Sequence, residues 1–276
     1  MTKKELNKCK TIYYSDLLND DFSETKLKRI PVPKNYQYIR KNKFSLFFQN
    51  IFYHFIAIPI LWCVSIFSGV KVKNRKALKQ LKHLDTGVFF YGNHVSDLDV
   101  FKIQTMCVFR RCNIIGYTDA LSIGKFIKPI LKALGFLPLP LADDLRNLKE
   151  LQEAIDYDIH HKEHVIIYPE AHIWPYYTLI RPFKNGSFHY PAKYKAPILP
   201  FVTVYRKVWW SKKPKESIVI GKLVYPKEDL DLHRNRDYLR EECYNQMVDL
   251  MKNNNEVIYK QYVYQPKETE NNRKSN

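Results

Sequence analysis

Residues 87–99 read Gly-Val-Phe-Phe-Tyr-Gly-Asn-His-Val-Ser-Asp-Leu-Asp, and an apolar helical pattern opens at Val100. The first five residues form a short β-rich run, and the polar residues after it lead into the helical pattern. A strand end that opens into a helix is a usual place for a site in an α/β fold. The same alternation recurs along the chain. Further apolar runs lie at 113–117, 136–140, 164–168, 197–205 and 217–224. Between them fall helical patterns, clearest at 143–159, where Leu145, Leu148, Leu151, Ile155 and Ile159 recur at steps of three and four. Residues 97–109, 122–134 and 183–194 are shorter helix candidates, and 236–264 forms another. Strands separated by helices predict an α/β fold, with a mostly parallel or mixed central sheet flanked by helices.

The chain has 276 residues, 45% of them hydrophobic, which suits one large α/β domain or two small ones. Lys and Arg number 45 against 28 Asp and Glu, so the formal charge is +17 and the expected partner is anionic. Five cysteines without paired C-x-x-C spacing read as reduced thiols. The first ten residues are polar and basic with no apolar segment behind them, so no export is expected. Residues 1–43, broken at Pro31-Val32-Pro33, read as a flexible basic lead-in arm. From 44 to 70 there is no Asp, Glu, Lys or Arg, a run long enough to cross the hydrocarbon layer. Gln49, Asn50 and His54 interrupt its first half, and Pro59 would kink or split a helix. Arg40, Lys41 and Lys43 before it and Lys71, Lys73, Arg75 and Lys76 after it pull both ends to one side of a membrane. A membrane-associating helix pair, re-entrant or interfacial, satisfies both flanks. A single span and a buried core helix pair remain alternatives. Residues 71–84 carry six basic residues and no acid, as a juxtamembrane stretch would. The cluster at 206–215, with Trp209 and Trp210 among lysines, suits either a lipid headgroup zone or a hairpin guarded by charge. The expected organisation is therefore an arm at 1–43, an apolar segment at 44–70, a folded domain at 71–264 and a disordered tail at 265–276.

Ser96 suits a helix N-cap with Asp99 three residues on, which places His94 just before the first turn and Asp99 within it. Imidazole and carboxylate can then meet. A carboxylate that fixes one ring nitrogen leaves the other free to take a proton from a hydroxyl. The S-x-x-D spacing is also close to a capping box, which needs no catalysis, and local physics leaves both readings open. Capping leaves Asn93 and His94 unexplained. No G-x-S-x-G occurs, so no nucleophile elbow is expected. His160, His161 and His164 raise a metal-dependent hydrolase as a competing reading. Without H-E-x-x-H, a solvated helix end is the simpler account of His160 and His161.

The segment Asn93–Asp99 resembles the N-H-x-x-x-x-D signature of the glycerolipid acyltransferases, the family that includes the 1-acylglycerol-3-phosphate acyltransferases. The order of further blocks is similar. VIIYPEA at 165–171 resembles the family's F-P-E-G block, and 183–201 resembles its F-K-x-G stretch and following strand. LGFLPLP at 134–140 falls where the second block belongs. The resemblance covers roughly residues 45–225. It implies that His94 deprotonates an acceptor hydroxyl, that Asp99 holds the imidazole, and that no acyl-enzyme forms. It implies no metal and no cofactor. Asn93, Ser96, Glu170, Arg181 and Lys184 become candidate substrate-binding residues, with Glu170 alternatively orienting site groups or bracing a loop. The implied donor is acyl-carrier protein or acyl-CoA, and the implied acceptor is a lysophospholipid such as 1-acylglycerol-3-phosphate. The setting would be an anionic membrane surface at the cytoplasmic face of the cell membrane, held monotopically or by a single span.

Two departures bear on the acceptor. Family members that take a lysophosphatidate-like acceptor usually have Arg in the second block and in E-G-T-R. This chain has Pro140 at the first position and reads Glu170-Ala171-His172-Ile173 at the second. Arg181 and Lys184 are the nearest substitutes, and Arg146 is more distant. A basic nucleic-acid- or anionic-membrane-binding protein without catalysis is the alternative. The 44–70 run, with no RNP-like block, helix-turn-helix pattern or zinc-finger spacing, argues against nucleic acid.

Overall fold

The computed structural model describes residues 9–23, 28–39, 42–96, 99–107, 109–122 and 127–266. Its centre is a seven-stranded sheet with strand order β2-β8-β7-β3-β6-β4-β5. The strands are β2 (Lys71–Lys73), β3 (Phe89–Gly92), β4 (Cys112–Tyr117), β5 (Phe136–Leu139), β6 (His164–Ile167), β7 (Ile198–Arg206) and β8 (Lys215–Ile220). Only the β7–β8 pairing is antiparallel. All six sequence-predicted strands are present. The expected α/β architecture with a mixed, mostly parallel sheet is the one observed.

Alternation along the central strands sends their side chains to two cores. Phe89, Tyr91, Val165 and Ile167 enter one, and Val88, Phe90 and Ile166 enter the other. The first core is covered by α4 (Leu145–His160), through Leu151, Ile155 and Ile159, and by α6 (Leu232–Asn254). From α6 come Leu239, Cys243, Met247 and Met251, a strict four-residue spacing that keeps one stripe on the sheet. Asp144 caps α4 and Asp231 caps α6, each accepting a backbone N–H three residues on.

The apolar segment forms one helix, α1 (Lys43–Phe67), in place of the expected pair. Pro59 does not split it because a π turn spans Phe52–Ala57 just before the proline. There the Ile58 N–H reaches back five residues to the Tyr53 carbonyl. The inner face of α1 rests on the domain. Tyr53, Ala57 and Ile58 pack against Leu134, and the Tyr53 hydroxyl accepts the Cys112 N–H at 3.1 Å. Its outer face is bare, with Phe44, Phe47, Phe48, Phe55, Ile60 and Phe67 exposed.

Other elements depart from expectation. Among the described residues, the 97–109 pattern gives a short helix, α2 (Asp99–Lys102), followed by a turn, and the 122–134 pattern gives α3 (Ile127–Ala133); residues 97–98, 108 and 123–126 of these candidates lie outside the described residues. In 183–194 a 3₁₀ turn leads into α5 (His189–Lys193). Residues 71–84 hold β2 and a 3₁₀ helix at Arg75–His83. The candidate helix at 236–264 ends at Asn254, and β9 (Lys260–Tyr264) follows. β9 pairs in parallel with β1 (Lys10–Tyr14), so the described part of the lead-in arm is tied down at its start. Tyr36 and Tyr38 donate their hydroxyls to the carbonyls of Phe136 and Pro138. Residues 1–8, 24–27 and 40–41 of the arm, and 267–276 of the expected tail, lie outside the described residues.

Candidate active site

The site is built where β3 ends. Gly92 is required there by close approach, since a Cβ would come within 2.1 Å of the Phe201 ring. Asn93, fully buried, then locks the turn to β7. Its side-chain amide donates to the Thr203 carbonyl at 3.1 Å and its Oδ1 accepts the Thr203 N–H at 2.7 Å. Each end of the amide makes one bond, so Asn93 brackets the turn to β7.

His94 and Asp99 meet. His94 Nδ1 lies 3.4 Å from Asp99 Oδ2. The same oxygen accepts the backbone N–H groups of Val95 at 2.6 Å and Ser96 at 2.7 Å, so the reach-back of a capping box and the contact to the imidazole are made together. Ser96 enters the site through its backbone, which also accepts the Asp99 N–H at 3.0 Å.

The other carboxylate oxygen of Asp99 binds Lys102 Nζ at 2.6 Å, and Lys102 in turn reaches Glu216 on β8 at 2.5 Å. Asp99 and Lys102 are both buried. Burial works to raise the Asp99 pKa, but the charge of Lys102 and then the bond to His94 outweigh it and hold the carboxyl below its ordinary value. Lys102 and Glu216 were not anticipated from sequence. Lys102 is one turn from Asp99 on α2, a local signal, whereas Glu216 lies on a remote strand.

Glu170 follows β6 at the end of Tyr168-Pro169 and is buried. Its Oε2 accepts the His94 N–H at 3.3 Å, and its Oε1 accepts the Arg181 N–H at 2.9 Å. Arg181 closes the bracket with its guanidinium, bonded to Glu170 Oε2 at 3.2 Å and to the His172 carbonyl, with the Trp174 ring beneath it. Burial raises the Glu170 pKa, and Arg181 offsets this in part. Arg181 is 1% exposed. It and Glu170 thus brace the His94 loop, and neither lines the cavity beside the imidazole.

A cavity of about 380 Å³ opens beside the imidazole, at the C-terminal ends of the parallel strands. Ile115 and Tyr117 of β4, Leu139 of β5, Ile167 of β6 and Tyr190 of α5 give it mostly apolar walls. The His94 ring stacks on Tyr168, also in the wall, with centroids 4.5 Å apart. With Nδ1 turned to Asp99, Nε2 is the ring nitrogen left to meet a ligand. Lys184 is the one cation lining this cavity among the described residues, and it is exposed, with Nζ 3.1 Å from Asn19 Oδ1. Arg146 is far from it in role, paired on the surface of α4 with Glu150.

The histidines that suggested a metal do not converge. His160 and His161 are exposed at the end of α4, each with Nδ1 on a backbone carbonyl four residues back. His164 is buried, and its Nδ1 accepts the Val88 N–H. Among the described residues no group of three or more His, Cys, Asp or Glu is placed to hold a metal ion.

The family model described as Acyltransferase matches residues 69–204. Among solved structures, the chain is similar to the crystal structure of the 1-acyl-sn-glycerophosphate (LPA) acyltransferase PlsC from Thermotoga maritima. The identity is 16% and the TM-score 0.49, over 75% of this chain and 97% of that one. No curated protein matches the chain in sequence. The blocks at 93–99, 134–140, 165–171 and 183–201 all fall within the matched 69–204, and these residues form an acyltransferase domain of the glycerolipid acyltransferase kind.

Proposed function

We propose that the chain transfers a fatty acyl group from an acyl thioester, carried by acyl-carrier protein or coenzyme A, to a hydroxyl of a lysophospholipid such as 1-acylglycerol-3-phosphate. The observation that carries this reading is the His94 imidazole held between the Asp99 carboxylate and an apolar cavity. His94 Nε2 takes the proton of the acceptor hydroxyl, and the oxygen attacks the thioester carbonyl carbon. The C–S bond breaks, and the thiolate leaves with the proton from the imidazolium. Asp99 fixes the ring with Nδ1–H towards it and stabilises the imidazolium once formed. The apolar walls receive a fatty chain, and Lys184, the cation at the cavity, takes the role of meeting the acceptor phosphate in place of Arg181.

The outer face of α1 seats the domain on the membrane. Because its inner face is packed on Leu134 and bonded to Cys112, the helix lies against the domain as a monotopic anchor and would have to part from both to span. Trp209 and Trp210, exposed on the β7–β8 connection, extend the same contact. That connection lies close to the end of α1, since Arg206 donates to the Gly69 carbonyl. A basic domain seated in this way belongs on an anionic cytoplasmic leaflet.

Purified protein incubated with labelled acyl-carrier protein and acyl-CoA against a panel of lysophospholipids, with products read by mass spectrometry, tests the assignment. Acylation of a phosphate-bearing lyso-lipid is expected. His94→Ala is expected to lower turnover about 10²–10⁴-fold with membrane association kept. Near-normal turnover in that variant would remove His94 as the base.

A further inference from the structure

A second cavity, of about 360 Å³, lies at the opposite end of β6. The His94 cavity takes Ile167 and Tyr168 from the C-terminal end of that strand, whereas this one takes His164 from its first residue, and no residue lines both. Its lining is apolar where Leu78, Leu81, Met106 and Cys107 meet, and Trp62 of α1 joins them. Five further lining residues are cations, Arg75, Lys76, Lys79, Lys82 and Arg110, and none is acidic.

Two of these cations are already engaged. Arg110 donates to the carbonyls of Lys82, Leu84 and Thr86, and Lys82 sits 4.3 Å from the centroid of the Phe109 ring. Arg75, Lys76 and Lys79 remain exposed on the 3₁₀ helix. Positions 76 and 79 stand one turn apart on one face of it, since a 3₁₀ helix repeats every three residues. His164 adds no charge, because burial depresses its pKa to about 3.

Cations over an apolar pit, beside a helix whose outer face is apolar and exposed, recognise an anionic amphiphile. An acidic protein surface would satisfy the charges and leave the pit unfilled. We propose that this cavity holds one anionic phospholipid, with its phosphate on Arg75, Lys76 and Lys79 and an acyl chain against Leu78, Leu81 and Met106. Such a lipid would tie α1 to the domain at a point remote from the chemistry. The inference shares the position of α1 with the proposed membrane seating. Lipid retention in detergent separates the two, because that readout needs neither a bilayer nor turnover.

Full-length protein in a neutral detergent, titrated with phosphatidylglycerol or phosphatidylcholine and examined by native mass spectrometry, is expected to retain one phosphatidylglycerol per chain, with at least a tenfold preference over phosphatidylcholine. In the triple variant Arg75→Ser, Lys76→Ser, Lys79→Ser the preference is expected to fall to near parity, with acyl transfer in detergent within twofold of the wild type. The control triple Lys207→Ser, Lys212→Ser, Lys213→Ser, which removes as many exposed charges elsewhere, is expected to keep the bound lipid. A third variant, Leu78→Trp, fills the pit without touching the charges and is expected to exclude the lipid while melting like the wild type. Equal loss in both triples would show diffuse attraction and overturn the proposal. So would retention of the preference in the first triple. Loss of acyl-carrier-protein binding in that triple, with lipid binding unchanged, would make the surface a protein dock and overturn it equally.

Discussion

One oxygen of Asp99 meets two backbone N–H groups and the His94 ring, and the other meets Lys102. The carboxylate therefore stays ionised at the cost of burying a lysine, and Lys102 is itself held by Glu216. The pKa of Asp99 is lowered on folding, so the stability it contributes is present above its ordinary value and lost as pH falls through the lower folded one. In Lys102→Met the largest opposing charge is gone and burial acts unopposed by it. The Asp99 pKa then rises, and the acid limb of the pH profile of kcat/KM is expected to move to higher pH. Stability should fall by about 3–5 kcal/mol, the usual cost of stranding a buried charge. Pairing the change with Glu216→Gln should recover part of the stability but leave the pH shift, since Asp99 still lacks its cation. A profile that does not move would mean that Lys102 only packs. His94 and Asp99 were legible in the sequence because five residues around one turn bring them together. Glu216 was not, because only the pairing of β8 with β7 and β7 with β3 carries it to α2.

The strands were legible for a similar reason. Each central strand is an apolar run between breakers, and the buried sheet needs nothing more specific than that. β2 is three residues with lysine at both ends, β9 opens on Lys260-Gln261, and both are only partly buried, so no local pattern marks them. α1 was legible as an apolar run but not as one helix. Pro59 removes a donor that an α-helical turn would use, and a π turn accommodates the loss without breaking the rod. Its outer face makes a direct prediction. Phe47 and Phe55 are exposed, so their replacement by Asp removes no packing inside the domain. Each Phe is worth about 1.5–3 kcal/mol if it is buried in lipid. The Phe47→Asp, Phe55→Asp double variant should shift from the membrane pellet to the supernatant in fractionation without detergent, with an unchanged melting temperature in detergent. If it stays with the membranes, α1 is not the seat.

The whole molecule ties Lys10–Tyr14 to Lys260–Tyr264 behind the site. β1 pairs with β9 across some 250 positions of sequence, and Tyr14, Phe22 and Tyr262 close around Trp174. Trp174 donates its ring N–H to the Asp20 carbonyl at 2.7 Å and its backbone N–H to the His94 carbonyl at 3.0 Å. The segment read as a flexible lead-in is thus in contact, through one tryptophan, with the residue proposed as the base. Nothing local in Lys10–Tyr14 announces this, because the partner strand is supplied by the other end of the chain. The His94 loop has two supports, the Glu170–Arg181 bracket and this aromatic cluster, and they can be separated. In Tyr14→Ala, Phe22→Ala the cluster loses two rings, each only half-buried, and stability should drop by about 1–3 kcal/mol. If the cluster positions His94, kcat should fall about tenfold at a temperature where the variant is fully folded, with KM for the acyl donor nearly unchanged, because the cavity beside His94, proposed to take the acyl chain, is lined by other residues. If kcat holds while the melting temperature drops, the bracket alone positions the imidazole, and the joined chain ends serve stability without serving the chemistry.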